Sequence, residues 1–247
     1  FYDGGKLKSD VDILLKAEQM LKEGAAILDV GGMSSKPNAA MISEEDELYR
    51  VIAPIKLMHQ KFPEAIISVD TFRSKVAVEA VNAGASIIND ISAGRFDENF
   101  LPTVAKLKTP YILMHMQGTP QTMQQAPVYE DAVKEVFDFL QHKIFELQQL
   151  GIHDIVIDPG FGFGKTVEHN FQLLQHLDVF KTLGLPILAG LSRKSMICKV
   201  LKVNPDKALN GTTALNAVAL MKGAKILRVH DVKEAKETIS LISRCDD

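Results

Sequence analysis

A chain of 247 residues can hold one large α/β domain or two small ones, and with 46% hydrophobic and 24% charged residues it has ample apolar material for a core. Its 28 basic and 31 acidic side chains leave a net charge of −3, without a run of five basic residues, which argues against nonspecific nucleic-acid binding. No apolar run reaches the ~18 residues of a membrane span, and the two cysteines, Cys198 and Cys245, have no metal-ligand spacing and make no disulfide framework, so a reducing cytoplasm suits them.

The chain opens on Phe1-Tyr2-Asp3-Gly4-Gly5 and a helical stretch, with no signal peptide and no initiator methionine, so a start partway into a longer protein is expected. The first apolar, β-branched run is AAILDVGG (25–32). Ser43 then reads as a helix N-cap, with Glu44-Glu45-Asp46 putting negative charge on the first turn, where the helix dipole favours it. AIISVDT (65–71), ASIIND (85–90) and YILMHM (111–116) follow. A helix is predicted from near Tyr129, with Val133, Val136, Phe137, Leu140, Ile144 and Leu147 at three- and four-residue spacing and Gly151 closing it. The last runs are DIVIDPG (154–160), PILAGLS (186–192) and KILRVHD (225–231).

The stretch DPGFGFGKT, Asp158 to Thr166, imitates a phosphate loop but fails the count. G-x-x-x-x-G-K-[ST] ending at Lys165 needs glycine at 159, where Pro159 stands. The dinucleotide spacing G-x-G-x-x-G fails as well, since Gly160, Gly162 and Gly164 alternate.

Runs this apolar, without strict alternation, suit parallel strands covered on both faces. Strict β/α alternation allows either an open doubly wound sheet or a closed barrel. Seven strands with no strand before the first helix fit a (β/α)8 TIM barrel, one domain over 1–247, whose first strand and first loop lie upstream of Phe1. Asp29, Asp70, Asn89-Asp90, His115, Asp158, Ser192-Arg193-Lys194, Arg228 and His230-Asp231 all fall at or just past strand ends. In a barrel those ends share one rim, the face on which barrel enzymes do chemistry. Asp90 and Asp231 read equally well as loop or cap residues, and His115, between two methionines, as a core or rim residue rather than a metal ligand.

The rim sorts by charge. Asp70, Asn89 and Asp158 can accept hydrogen bonds from the amidine-like edge of a nitrogen heterocycle, while Lys194, Arg228 and His230, from the last two strands, suit a phosphate or diphosphate tail. The glycines let backbone approach a flat ligand, and Phe163, more than Phe161, is placed to stack on it.

ISVDT, IINDI, LMHMQGTPQTMQ, DPGFGFGKT, GLSRKSMI and RVHDV, in this order and spacing, closely resemble dihydropteroate synthase over essentially the whole chain. Phe1 to Gly5 resemble the tail of that family's first loop, Asn-Val-Thr-Pro-Asp-Ser-Phe-x-Asp-Gly-Gly. The resemblance implies condensation of 7,8-dihydropterin-6-ylmethyl diphosphate with 4-aminobenzoate, a step of folate synthesis and the target of sulfonamides, by a homodimeric, Mg2+-using enzyme. It implies pterin contacts at Asp70, Asn89, Ile91, Met114, Asp158, Phe163, Gly190, Lys194 and Arg228. It also implies diphosphate contacts at Ser35, Arg228 and His230, and 4-aminobenzoate contacts at Phe1, Ser35, Lys36, Pro37, Phe163, Lys194 and Ser195. The family's usual metal-contacting asparagine would precede Phe1, so no Mg2+ ligand is assigned in this chain.

The second loop departs from the pattern. Where the family commonly has Glu-Ser-Thr-Arg-Pro-Gly, this chain has Met33-Ser34-Ser35-Lys36-Pro37-Asn38. Lysine keeps the charge but loses the planar fork that grips a carboxylate. Two other readings stay open on sequence grounds: a pterin-dependent corrinoid methyltransferase domain and a non-catalytic pterin-binding homologue. The apolar stretch TALNAVALMKGA (213–224) serves either a dimer contact or packing on the barrel.

Overall fold

The computed structural model describes residues 9–34, 41–123 and 127–245. Each of the seven apolar runs forms a strand: β1 (Ile27–Gly31), β2 (Ile66–Asp70), β3 (Ile87–Asp90), β4 (Tyr111–Met114), β5 (Ile155–Asp158), β6 (Ile187–Ala189) and β7 (Ala224–Leu227). All pairings are parallel, and the strands line up in chain order from β1 to β7. An open doubly wound sheet reverses its order at a switch point; this one does not. The sheet also curls, because Arg228, just past β7, reaches Asp29 of β1 with Nη2 2.6 Å from Oδ2. A parallel sheet whose first and last strands bring side chains together in this way has the barrel architecture, and the open-sheet alternative falls. The strand expected upstream of Phe1 lies outside the described residues.

Helices fill the intervals: α1 (Asp10–Lys22), α2 (Glu44–Lys61), α3 (Ser74–Ala83), α4 (Phe100–Leu107), α5 (Ala132–Gln149), α6 (Val167–Gln175), α7 (Ser195–Leu201), α8 (Leu209–Met221) and α9 (Val232–Ile242). Ser43 caps α2 as expected, its hydroxyl accepting from the Asp46 N–H at 3.0 Å. Helix α5 starts near Tyr129, as expected. Asp131, two residues on, is the cap, and its carboxylate accepts from the N–H groups of Val133 and Lys134 at 3.0 Å each. Hydrophobic spacing locates a helical face, whereas the capping side chain decides where the helix begins. Tyr129 stays outside and donates to the Gly164 carbonyl at 2.9 Å.

Two apolar clusters result. The larger lies between sheet and helices and holds Ile67, Val69, Ile88, Leu113, Ile157, Phe161 and Phe180, none of them exposed. The smaller collects Phe72, Ile91, Met114, Met116, Met123 and Phe163, with Met33 and Phe96 packed against it. Its members sit at or beyond the carboxyl ends of strands, so it walls the rim rather than filling the barrel. The two phenylalanines of DPGFGFGKT therefore part company. Phe161 belongs to the core and Phe163 to the rim.

Candidate active site at the carboxyl ends of the strands

Parallel register fixes which polar residues stand together. Asp70 ends β2 opposite Asn89 of β3, and Met114 ends β4 opposite Asp158 of β5. The Asn89 amide donates to Asp29 at 3.3 Å, and Ser68, the register partner of Asp29, donates to the same carboxylate. Arg228 then bridges two carboxylates, its Nε donating to Asp29 at 2.7 Å and its Nη2 to Asp70 at 2.8 Å. One guanidinium thus ties β1, β2 and the exit of β7, and Asn89 joins through Asp29.

Gly190 connects this group to the next. A Cβ placed there would lie 3.5 Å from Lys194 Nζ and 3.9 Å from Arg228 Cβ, so the missing side chain leaves room for two cations to share the site. The Lys194 ammonium donates to the Phe161 carbonyl and stands 4.8 Å from the centre of the Phe163 ring. Asp158 accepts the Gly160 N–H at 2.7 Å. Ile91 and Met114 share the apolar cluster with Phe163. His230 is oriented by Ser192, whose hydroxyl lies 2.8 Å from its Nδ1.

Burial sets the electrostatics. It pushes the Asp70 carboxyl up to about 7, with Arg228 pulling it back and Asp29 adding to the rise. Asp158 is likewise raised by burial, against the pull of Lys194, of its hydrogen bond to Gly160, and of Arg228 and Lys165. Burial brings Lys194 down to about 8, with Asp158 opposing. Arg228 loses to burial but gains more from Asp29 and Asp70, which hold it firmly charged.

Asp70, Asn89, Ile91, Met114, Asp158, Phe163, Gly190, Lys194 and Arg228 therefore form one connected rim. Ser195 is exposed at the first residue of α7 and lines a neighbouring recess with Thr166 and Lys199. Phe1, Ser35, Lys36 and Pro37, together with Asn38, lie outside the described residues. The loop reading of Asp90 holds, since its carboxylate accepts from the N–H groups of Ser92 and Gly94 and from the Tyr111 hydroxyl. Asp231 instead pairs with Arg193, which turns off the rim at φ 53° and also donates to the carbonyls of Pro205 and Asp206.

Three residues gained no role from sequence. Asp29 was legible only as a strand end, Ser192 only as part of a polar loop, and Lys165 only as the last letter of a failed motif.

A family profile described as pterin binding enzyme matches residues 1–230. The chain belongs to the pterin-binding enzyme family. Among pterin-binding enzymes it is 46% identical over 243 residues to the dihydropteroate synthase of Haemophilus influenzae, covering 98% of this chain and 88% of that one. It is 45% identical to the Escherichia coli K12 dihydropteroate synthase, covering 98% and 86%. The crystal structure of the Yersinia pestis dihydropteroate synthase with a sulfonamide drug complex superposes with a TM-score of 0.97 at 41% identity, over 100% of this chain and 90% of that one. That of the Xanthomonas albilineans dihydropteroate synthase with 4-aminobenzoic acid gives 0.91 at 39% identity, over 100% and 88%. Pterin-binding enzymes of known structure thus share this fold along its whole length.

Proposed function

We propose that the chain is a transferase of folate synthesis, a dihydropteroate synthase that joins 4-aminobenzoate to 7,8-dihydropterin-6-ylmethyl diphosphate and releases pyrophosphate. The observation that carries this reading is the single rim on which Asp70, Asn89 and Asp158 stand against Lys194 and Arg228. A pterin offers adjacent N–H groups along one edge, which carboxylates and an amide can grip. Phe163, Ile91 and Met114 supply apolar surface for its ring. Arg228 and His230 suit the charged tail.

The reactants need little proton transfer. An aromatic amine is neutral and nucleophilic at pH 7, and its ammonium product sheds a proton readily. The demanding event is departure of diphosphate from the methylene carbon, which leaves positive charge delocalised into the pterin. Asp158 and Asp70 stabilise that charge, and Arg228 and His230 stabilise the leaving group, in an SN1-like substitution ruled by fixed charges. Among the described residues no group of three His, Cys, Asp or Glu side chains could hold a metal ion, and Asp29 and Asp70 are engaged by Arg228. A Mg2+ ion serving the diphosphate would be held from the asparagine expected upstream of Phe1 together with the phosphate oxygens, and no step here is routed through it.

Methyl transfer to a corrinoid fits less well, because it gives a diphosphate-gripping pair no task. Full-length protein given both substrates is expected to release pyrophosphate; binding of the pterin without release would leave only the non-catalytic reading. The pH dependence follows from two groups. As pH falls through about 7, Asp70 takes up a proton and stops accepting from the pterin. As pH rises through about 8, Lys194 loses its charge. The kcat/KM for the pterin diphosphate, which reports the free enzyme, is expected to peak between these limits. Lys194→Met should abolish the alkaline limb; its persistence would assign that limb elsewhere.

Sulfonamides, as mimics of 4-aminobenzoate, are the expected inhibitors. Among the described residues no helix is long and apolar enough to cross a membrane, and a cytoplasmic setting suits the chemistry. A homodimer is part of the same reading. Helix α8 buries Thr212, Asn216 and Ala219 but exposes Val218 and Met221, so the 213–224 stretch both packs on the barrel and offers apolar surface.

A further inference from the structure

The lysine that ends DPGFGFGK is not a rim cation. Lys165 is only 3% exposed, and its Nζ points into the loop that carries it. It donates to the carbonyls of Gly160 at 2.9 Å and Phe163 at 3.0 Å, and lies 3.0 Å from Nδ1 of His115. The His115 carbonyl lies 3.5 Å away as a fourth partner, so every proton of the amine can be satisfied inside the loop. Burial, with Lys165 and Arg95 nearby, keeps His115 neutral.

The backbone has no slack here. Gly160, Gly162 and Gly164 all take positive φ, at 72°, 82° and 63°. A Cβ on Gly160 would stand 1.9 Å from the His115 carbonyl oxygen, and one on Gly164 2.4 Å from that of Gln117. The loop after β5 therefore lies flush on the exit of β4. Buried Asn170 holds its middle, accepting the Gly162 N–H at 2.6 Å and donating to the Thr166 carbonyl at 2.6 Å. From the opposite side Lys194 takes the Phe161 carbonyl. Consecutive carbonyls thus turn toward two different amines, which forces the Phe163 ring to the rim and aims the Gly160 N–H at Asp158.

We propose that Lys165 is a positioning residue for the pterin site, the internal post around which the loop folds so that Asp158 and Phe163 face the ligand. This inference rests on the pterin-transfer reading above. Burial pushes the Lys165 amine well down, with Asp158 opposing, so its part rests on the carbonyls it holds rather than on its charge.

The test uses the full chain, with 6-hydroxymethylpterin and inorganic pyrophosphate as separate probes. In Lys165→Met the dissociation constant for the pterin should rise roughly tenfold or more, as misplacement of binding groups by a fraction of an ångström does, while that for pyrophosphate stays unchanged. Should that variant fail to fold by circular dichroism, Lys165→Gln, which keeps hydrogen-bond donors on a shorter arm, is read the same way with a smaller rise. A lower melting temperature with both affinities intact would mean a merely structural lysine and overturn the proposal, as would a parallel loss of both. Wild type that binds the pterin but releases no pyrophosphate from the two substrates would sink the reaction and leave the Lys165 comparison standing. Wild type that binds no pterin would overturn both.

Discussion

Asp158→Ala should lose most of its turnover, by about 10²–10³-fold or ~3–4 kcal/mol, the usual cost of removing one preorganised group that meets charge developing in the transition state. The carboxylate does two things in the structure. It accepts the Gly160 N–H at 2.7 Å, and it supplies negative charge beside Lys194, Arg228 and Lys165. Alanine removes both, so Asp158→Asn is the sharper probe, keeping an acceptor for Gly160 while deleting the charge. A loss of kcat in Asp158→Asn close to that of alanine would place the effect in the charge. A secondary shift has a fixed sign. Asp158 raises the Lys194 pKa against burial, so its loss should move the alkaline limb of kcat/KM below pH 8. Near-normal kinetics in both variants, measured as pyrophosphate release, would remove Asp158 from the mechanism.

Arg228→Ala should lower kcat/KM for the pterin diphosphate by roughly 10²-fold, through two separable losses. The first is direct: pyrophosphate should bind more weakly, because a charged donor has gone. The second acts through Asp70. Arg228 is the group that pulls the Asp70 pKa down, so without it the carboxyl rises above about 7 and is largely protonated at neutral pH. Pterin affinity in the variant should therefore recover in part as pH is raised, whereas pyrophosphate affinity should not. Arg228→Lys should restore charge but not the bridge, since one ammonium cannot hold Asp29 and Asp70 with the geometry of a planar fork. Unchanged affinities for both substrate and pyrophosphate in Arg228→Ala would make the tail assignment wrong.

The strands were legible because burial on both faces leaves a strong mark: each apolar run holds a strand, with its ends moved by a few residues. Helix α5 shows the limit, because periodicity marked its buried face while Asp131 set its start. The choice of barrel over open sheet rested on a count of strands, and what decides it, the contact of Arg228 with Asp29, joins residues no local pattern connects. Strand-end position was a good guide to the rim but a poor guide to roles within it. Asp29, Asp90 and Asp231 look alike in sequence, yet one is bridged by Arg228, one closes a loop and one holds Arg193. Lys165 was the least readable. A lysine in a glycine-rich loop is ordinarily taken for a solvent or phosphate cation, and only its carbonyl partners reveal an inward post.

The bridge from Arg228 to Asp29 spans 199 positions, nearly the whole described chain. A contact this remote in sequence is among the last a growing polypeptide can make, since every intervening β/α unit must emerge and pack first. Binding competence should therefore arrive late and all at once during synthesis, and a nascent chain halted before residue 228 would hold most of its secondary structure yet no working pocket. A ligand that engages both ends of that span would, by mass action, reward only the finished molecule.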